Sequence, residues 1–349
     1  MEKELLEKFC DSFPFVDELS GKTILVTGGT GLIGSYILKC VIALSDRYRI
    51  PVTIYATART LEKTKDKNFA QNINWLIRDL KCNDKFPDNI DIIFHTACPT
   101  QSLYLKNYPV EVINDSIIGA RELLEYCKSN PFCRLIYISS IEIYGQKADD
   151  LFLTAENEYG YLDHLNTRSC YPESKKLIET MCTSYAKEYG VNAIIARLTQ
   201  TIGADVSPTD NRVFVQFAKC VSEGKNIVLH TAGSSSKSYV HAIDVVSALF
   251  YLVFKGILGE AYNVANKDTY ISVYNLANFV VENFNSTIKV VVDKKDGCGY
   301  APDSKINLST AKIESMGWKA DIGLYTMFSE LIKGLKEQQR NNKNELIQK

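Results

Sequence analysis

Tyr171 and Lys175 stand four residues apart in the run Tyr171–Lys175 (YPESK), a spacing that puts both side chains on one face of a helix. An ammonium beside a phenol favours the phenolate and makes Tyr171 a usable base. Y-x-x-x-K alone arises by chance in many chains. It gains weight from Ser139–Gly145 (SSIEIYG), which follows the preceding strand-like run. A second chemistry lies in Gly28-Gly29-Thr30-Gly31-Leu32-Ile33-Gly34. This turn satisfies G-x-G-x-x-G from Gly29 and G-x-x-G-x-x-G from Gly28. Such glycines let the backbone approach a pyrophosphate at a helix N-terminus. Gly28, Thr30, Gly31, Leu32, Ile33 and Gly34 are therefore expected to contact a dinucleotide.

The end of the second strand reports cofactor choice. An Asp or Glu about 20 residues past the glycines would take the ribose hydroxyls of NAD. Here the segment is Tyr55-Ala56-Thr57-Ala58-Arg59, without an acid. Arg59 is either a partner for the 2′-phosphate of NADP or a solvated loop residue, which tips the choice between NAD and NADP slightly to NADP. Asp79-Leu80, closing the third strand, is placed for the adenine; the other reading of Asp79 is a helix cap.

The elements that must position these groups are legible as alternating patterns. Strand-like runs lie at Lys22–Thr27, Val52–Ala56, Asn74–Ile77, Ile90–Thr96, Arg134–Ser139 and Ala193–Leu198. Helical patterns at Val110–Lys128 and Glu173–Tyr189 fall between them. Such alternation predicts an α/β fold, a Rossmann-type doubly wound parallel sheet covered on both faces. After Gly203 the pieces shorten, which predicts a smaller C-terminal substrate-binding lobe over the carboxyl ends of the strands. The expected division is an N-terminal helix and connector (1–20), a dinucleotide-binding domain (21–203), a segment that is mainly the lobe (204–338) and a disordered polar tail (339–349).

Bulk composition excludes other classes. The 349 residues are 46% apolar and carry a formal net charge of −1, so no global field gathers nucleic acid or an anionic membrane. Any anionic substrate must be held by local groups. Ten cysteines are scattered without a C-x-x-C pair, which argues against a zinc or redox-dithiol site and suits a reducing cytosol. The first residues lack the apolar run of a signal peptide. No stretch approaches the roughly 18 apolar residues of a membrane span. A cytoplasmic protein without a metal site is expected.

The order of glycine turn, S-S-x-E-x-Y-G and Y-x-x-x-K resembles the extended short-chain dehydrogenase/reductases, the NAD-dependent epimerase/dehydratase family. The likeness spans roughly residues 20–335. Arg168–Lys175 (RSCYPESK), Ala97–Pro99 (ACP) and Asp210–Val213 (DNRV) are most similar to UDP-glucuronate decarboxylases, with nucleotide-sugar 4,6-dehydratases close behind. The resemblance implies a tightly bound NAD(P), contacted also by Ala97, Tyr171 and Lys175. It implies a shared first step, in which Tyr171, with Ser140 on the same sugar oxygen, removes the C4 hydroxyl proton while hydride moves to the nicotinamide. The 4-keto sugar acidifies C5, and decarboxylation, loss of the C6 hydroxyl or inversion comes next. Glu142 argues against plain epimerisation: dehydratases use a glutamate here on the C5 proton, and decarboxylases carry it too. Its bland alternative is an acid solvated at a strand end. Ile141 stands where many dTDP-glucose dehydratases have a second acid, which counts against that enzyme.

By the same resemblance Pro99, Arg168, Gln200, Arg212 and Lys237 are expected at a nucleotide-diphosphate sugar. Arg212 and Lys237 match places that clamp the diphosphate, although relatives usually have Arg at the second, and lysine is a point charge rather than a fork. Gln200 stands for an Asn, Ala204 for a Pro, and Ser116 for an Asn that supports the tyrosine region. His95 is expected to pack near the cofactor, His241 to be structural or solvent-facing, and Cys170 to be unactivated. The expected function is C4 oxidation of a nucleotide sugar followed by decarboxylation or 4,6-dehydration, in a surface-polysaccharide setting. The alternative is an epimerase or a net 4-dehydrogenase/reductase. A mere binding protein loses ground because Tyr171 and Lys175 are both present. A homodimer through Val110–Lys128 and Glu173–Tyr189 is expected, with Leu123, Leu124, Tyr126, Met181 and Tyr185 either on that face or in the core.

Overall fold

The computed structural model describes residues 2–65, 72–78, 85–147, 153–207, 209–294 and 304–347. Six strands of a parallel sheet come first: β1 (Thr23–Thr27), β2 (Thr53–Ala58), β3 (Asn74–Ile77), β4 (Ile92–His95), β5 (Arg134–Ser140) and β6 (Asn192–Leu198). Across the sheet they run β3-β2-β1-β4-β5-β6, and a seventh strand, Ala261–Val264, adds beyond β6. All the pairings are parallel. This is the doubly wound order, whose crevice lies between β1 and β4.

Both faces of the sheet are covered, so its central strands β1, β4 and β5 are buried on both sides rather than on alternate residues. Alternation along β1 sends Ile24 and Val26 to one face and Leu25 to the other. The first face is packed by α1 (Glu2–Ser12) and α3 (Leu32–Tyr48), which flank the short α2 (Val16–Leu19). After α4 (Glu62–Lys65) and α5 (Ser102–Asn107), the second face is packed by α6 (Pro109–Ser129) and α7 (Cys170–Tyr189). Leu123 and Leu124 are fully buried in that second layer, which makes them core. Ile113, Ile118 and Leu177 hold the outward side of the pair instead.

The C-terminal lobe is built on strand Ser236–His241, which pairs with Gln200–Ile202 and Lys305–Ile306 in parallel and with Asn266–Ser272 antiparallel. Helices α8 (Val213–Glu223), α10 (Val273–Phe284) and α12 (Leu324–Ile347) enclose its core of Phe214, Phe217, Leu276, Phe328 and Leu331. Within 204–338, α9 (Ala242–Lys255), the short α11 (Ala311–Glu314) and the seventh strand pack on or join the large sheet. Helix α12 continues to Ile347 through the polar tail expected to be disordered. Gln, Lys, Glu and Arg are good helix formers, and extending an existing helix is far easier than nucleating one. Among the described residues no helix is long and apolar enough to cross a membrane.

Candidate active site

β1 ends in a turn that needs its glycines. Gly28 has φ +70°, and a Cβ there would lie 2.9 Å from the Ala97 Cα. A Cβ at Gly34 would lie 2.3 Å from the Gly28 carbonyl oxygen, so the first turn of α3 rests directly on the loop. The Gly28 N–H donates to Thr57 Oγ1 at 2.9 Å, which ties the loop to β2. The Ala97 N–H donates to Thr27 Oγ1 at 3.3 Å, which brings Ala97 to the same turn. Helix α3 begins after Gly31 with no side-chain cap, so the N–H groups of Leu32 and Ile33 face forward with the positive end of the helix dipole. Thr30 is half-buried between the glycines, and Arg59 stands exposed one residue beyond β2. Glycine-cleared space and an uncapped helix end fit the pyrophosphate of a dinucleotide. Asp79 and Leu80 lie outside the described residues.

Across the crevice, β5 and α7 bring the four expected catalytic residues together. Tyr171 is 8% exposed in the first turn of α7. Lys175 is buried; its Nζ donates to the Ile138 carbonyl at 2.6 Å and lies 5.6 Å from the Tyr171 ring centre. Ser140, the last residue of β5, lies near enough to the Tyr171 phenol to pull its pKa down, and its Oγ accepts the Glu142 N–H at 3.2 Å. Burial, then the neighbouring Cys98 and Glu142, push the phenol well above its ordinary value, while Ser140 and Arg168 pull it back. Glu142 sits on the single helical turn Ile141–Tyr144 and meets Arg168 Nη2 at 3.4 Å. Arg168 thus reaches the site through the Glu142 carboxylate.

The neighbouring residues take structural parts. His95 is buried with Nδ1 2.8 Å from Thr27 Oγ1, and burial together with Lys175 lowers it to about 3, so the ring is neutral near pH 7. His241 accepts the Ile243 N–H at Nδ1 (3.2 Å) and meets Glu330 through Nε2 (2.8 Å), tying its strand to α12. Burial raises the Cys170 thiol, which disfavours the thiolate a nucleophile needs. Ser116 donates to the Val112 carbonyl of its own helix at 2.6 Å.

One constellation was not foreseen. Glu179 and Arg197 form a buried ion pair, with Arg197 Nη2 2.7 Å and Nε 3.1 Å from the two carboxylate oxygens. Ser139 Oγ donates to Glu179 Oε1 at 2.5 Å. Arg197 also donates to the Tyr144 hydroxyl at 2.9 Å, the Glu156 carbonyl at 2.6 Å and the Tyr159 hydroxyl at 3.0 Å. Half of the pair had a signal, since Glu179 continues the four-residue stripe of Tyr171 and Lys175 on α7, but nothing local marks Arg197 as its partner.

The expected substrate residues lie mainly on the lobe. Gln200 pairs in register with Tyr239, and Lys237 lies two residues from Tyr239, so strand alternation puts Lys237, Tyr239 and Gln200 on one face. Phe214 lies 6.1 Å from the Tyr239 ring, and the Arg212 guanidinium sits 4.7 Å from the Phe214 ring. Arg212 is held by Asp210 at 2.7 Å. Pro99 is half-buried two residues past Ala97.

Comparison with known proteins agrees with this geometry. Residues 24–265 match the NAD dependent epimerase/dehydratase family. UDP-glucuronic acid decarboxylase 3 of Arabidopsis thaliana is 27% identical over 305 residues, covering 86% of this chain and 85% of that protein. Among solved structures, UDP-glucose 4-epimerase of Thermotoga maritima, with UDP-glucose, is similar at TM-score 0.75 and 20% identity, covering 91% of this chain and 99% of that one. The dTDP-glucose 4,6-dehydratase of Bacillus anthracis, in complex with NAD, gives 0.73 and 19% identity, covering 92% and 98%. A glycine turn under an uncapped helix, a buried tyrosine–lysine pair and a match across both place this chain in the NAD-dependent epimerase/dehydratase family of enzymes.

Proposed function

We propose that the chain oxidises C4 of a nucleotide-diphosphate sugar with a tightly held NAD(P) and then expels carbon dioxide, as from UDP-glucuronate, or water from C5 and C6. The observation that carries it is Glu142 beside the Ser140–Tyr171–Lys175 set, held at 3.4 Å by Arg168. A dinucleotide with its pyrophosphate at the glycine turn would supply the hydride acceptor and, when oxidised, a positive charge that favours the phenolate. Ser140 orients the C4 hydroxyl and Tyr171 takes its proton. Lys175 adds a fixed positive charge beside the phenol. Glu142 acts in the second step, at C5. Gln200, Arg212 and Lys237 hold the diphosphate end, and Pro99 borders the sugar. Asp79 and Leu80 would take the adenine, and Arg59 the 2′-phosphate if the cofactor is NADP.

The enzyme on this reading works in the cytoplasm as a homodimer and feeds surface-polysaccharide synthesis. An epimerase or net dehydrogenase shares the C4 oxidation and differs in the second step. Incubation with a panel of nucleotide sugars, UDP-glucuronate included and no cofactor added, decides by product mass. Loss of 44 or 18 mass units, on the order of one carbon dioxide or one water, is expected from one substrate. An unchanged mass with a new isomer, or, in a parallel incubation with NAD or NADP added, its stoichiometric reduction, would replace the proposal with epimerisation or net dehydrogenation.

A further inference from the structure

Helix α7 carries Tyr171, Lys175 and Glu179 on one buried stripe, at the four-residue spacing of a single helix face. Lys175 and Glu179 both end on β5, at consecutive residues: Lys175 on the Ile138 carbonyl at 2.6 Å, and Glu179 on the Ser139 hydroxyl at 2.5 Å. The next residue of the strand is Ser140. The Glu179 carboxylate is in turn gripped by Arg197 on β6, whose remaining donors hold Tyr144, at the end of the Glu142 turn, and Tyr159, in the segment beside it. Tyr144 completes the tie by donating to Asn263 Oδ1 at 2.5 Å on the seventh strand.

We propose that the Glu179–Arg197 pair is a positioning device, which fixes the register of α7 on β5 and so sets Tyr171 against Ser140 and holds Glu142 in its turn. This rests on the assignment of Ser140 and Tyr171 to C4 oxidation. Neither Glu179 nor Arg197 touches the reacting atoms. Their charges are directed at each other and at three neighbouring elements, and a small misplacement at a site of this kind is costly in rate.

Ser139→Ala is the informative variant, because it cuts the link from Glu179 to the strand and leaves the ion pair whole. Glu179→Gln and Arg197→Lys test the pair itself, the second because lysine offers a point charge without the fork. Ser139→Ala is expected to lower kcat about tenfold or more with KM little changed, at a thermal midpoint close to the parent's. It should also raise hydrogen exchange in residues 140–144. Arg197→Lys should lose more and raise exchange in residues 153–162 as well. A fall in thermal midpoint with kcat per folded enzyme unchanged would reduce the pair to a structural brace and overturn the proposal. If the parent enzyme oxidises no nucleotide sugar, the functional assignment fails by itself. Exchange then decides: unchanged protection of residues 140–144 in Ser139→Ala overturns the positioning role, and lost protection upholds it.

Discussion

Tyr171 is set against its own chemistry by the chain that holds it. Burial, Cys98 and Glu142 all raise its phenol, and the opposing pulls are Ser140 and Arg168. The deprotonated form is the base, so C4 oxidation should quicken as pH rises towards the phenol's pKa. Glu142→Gln removes one raising charge, and the climbing limb should move to lower pH. Single-turnover reduction of the bound cofactor across pH measures it; a limb that stays in place or moves upward discards the account. Tyr171→Phe should slow the same step by about 10²–10⁴-fold while cofactor stays bound. At this scale the sequence was informative wherever the partners are neighbours on one element. Tyr171, Lys175, Ser140 and Glu142 lie on one helix stripe and one strand end. The pairing of Glu179 with Arg197 needs α7 to pack on β6, and no local pattern announces that contact.

The glycine turn works as an element because α3 can settle on it. Gly34→Ala would drive a Cβ to 2.3 Å from a backbone oxygen, and backbone cannot swing aside as a side chain can. The cost should be about 1–3 kcal/mol of stability, as for other overpacked sites. Loss of dinucleotide on purification should accompany it. Gly31→Ala is the control, since its Cβ would meet the same oxygen at 3.3 Å and a slight shift relieves it. Absorbance of the purified proteins and their thermal midpoints separate the two. Equal cofactor content in Gly34→Ala and the parent would show that the loop tolerates a raised helix. The turn was legible because strand, glycines and helix are consecutive. The seventh strand was missed for the opposite reason: Ala261–Val264 is four residues long, and its partner β6 lies far upstream.

At the scale of the whole molecule, the large sheet and the lobe are joined by several crossings of the chain. The helix and connector of residues 2–20 are tied to the sheet, since Phe9, Phe13 and Phe15 enter the main core and Phe13 meets Phe250 edge-on at 5.1 Å. Covering both faces of the large sheet leaves one layer with an apolar outer side. On α6, Val110, Ile113 and Ile118 are exposed, and on α7, Leu177; with the half-buried Ile117 and Met181 they follow helical spacing. Contiguous exposed apolar residues on two packed helices mark an interface more often than bare surface. A twofold axis through this face would stack α6 and α7 of one copy on those of another, so each residue would enter the contact twice. Leu177→Glu then places two like charges in an apolar seam. The parent should sediment with the mass of two chains, and Leu177→Glu with the mass of one at micromolar concentration, with its fold kept by circular dichroism. Phe132→Glu, at an exposed aromatic between α6 and β5, should remain paired. A monomeric parent, or an undisturbed dimer in Leu177→Glu, would move the contact elsewhere.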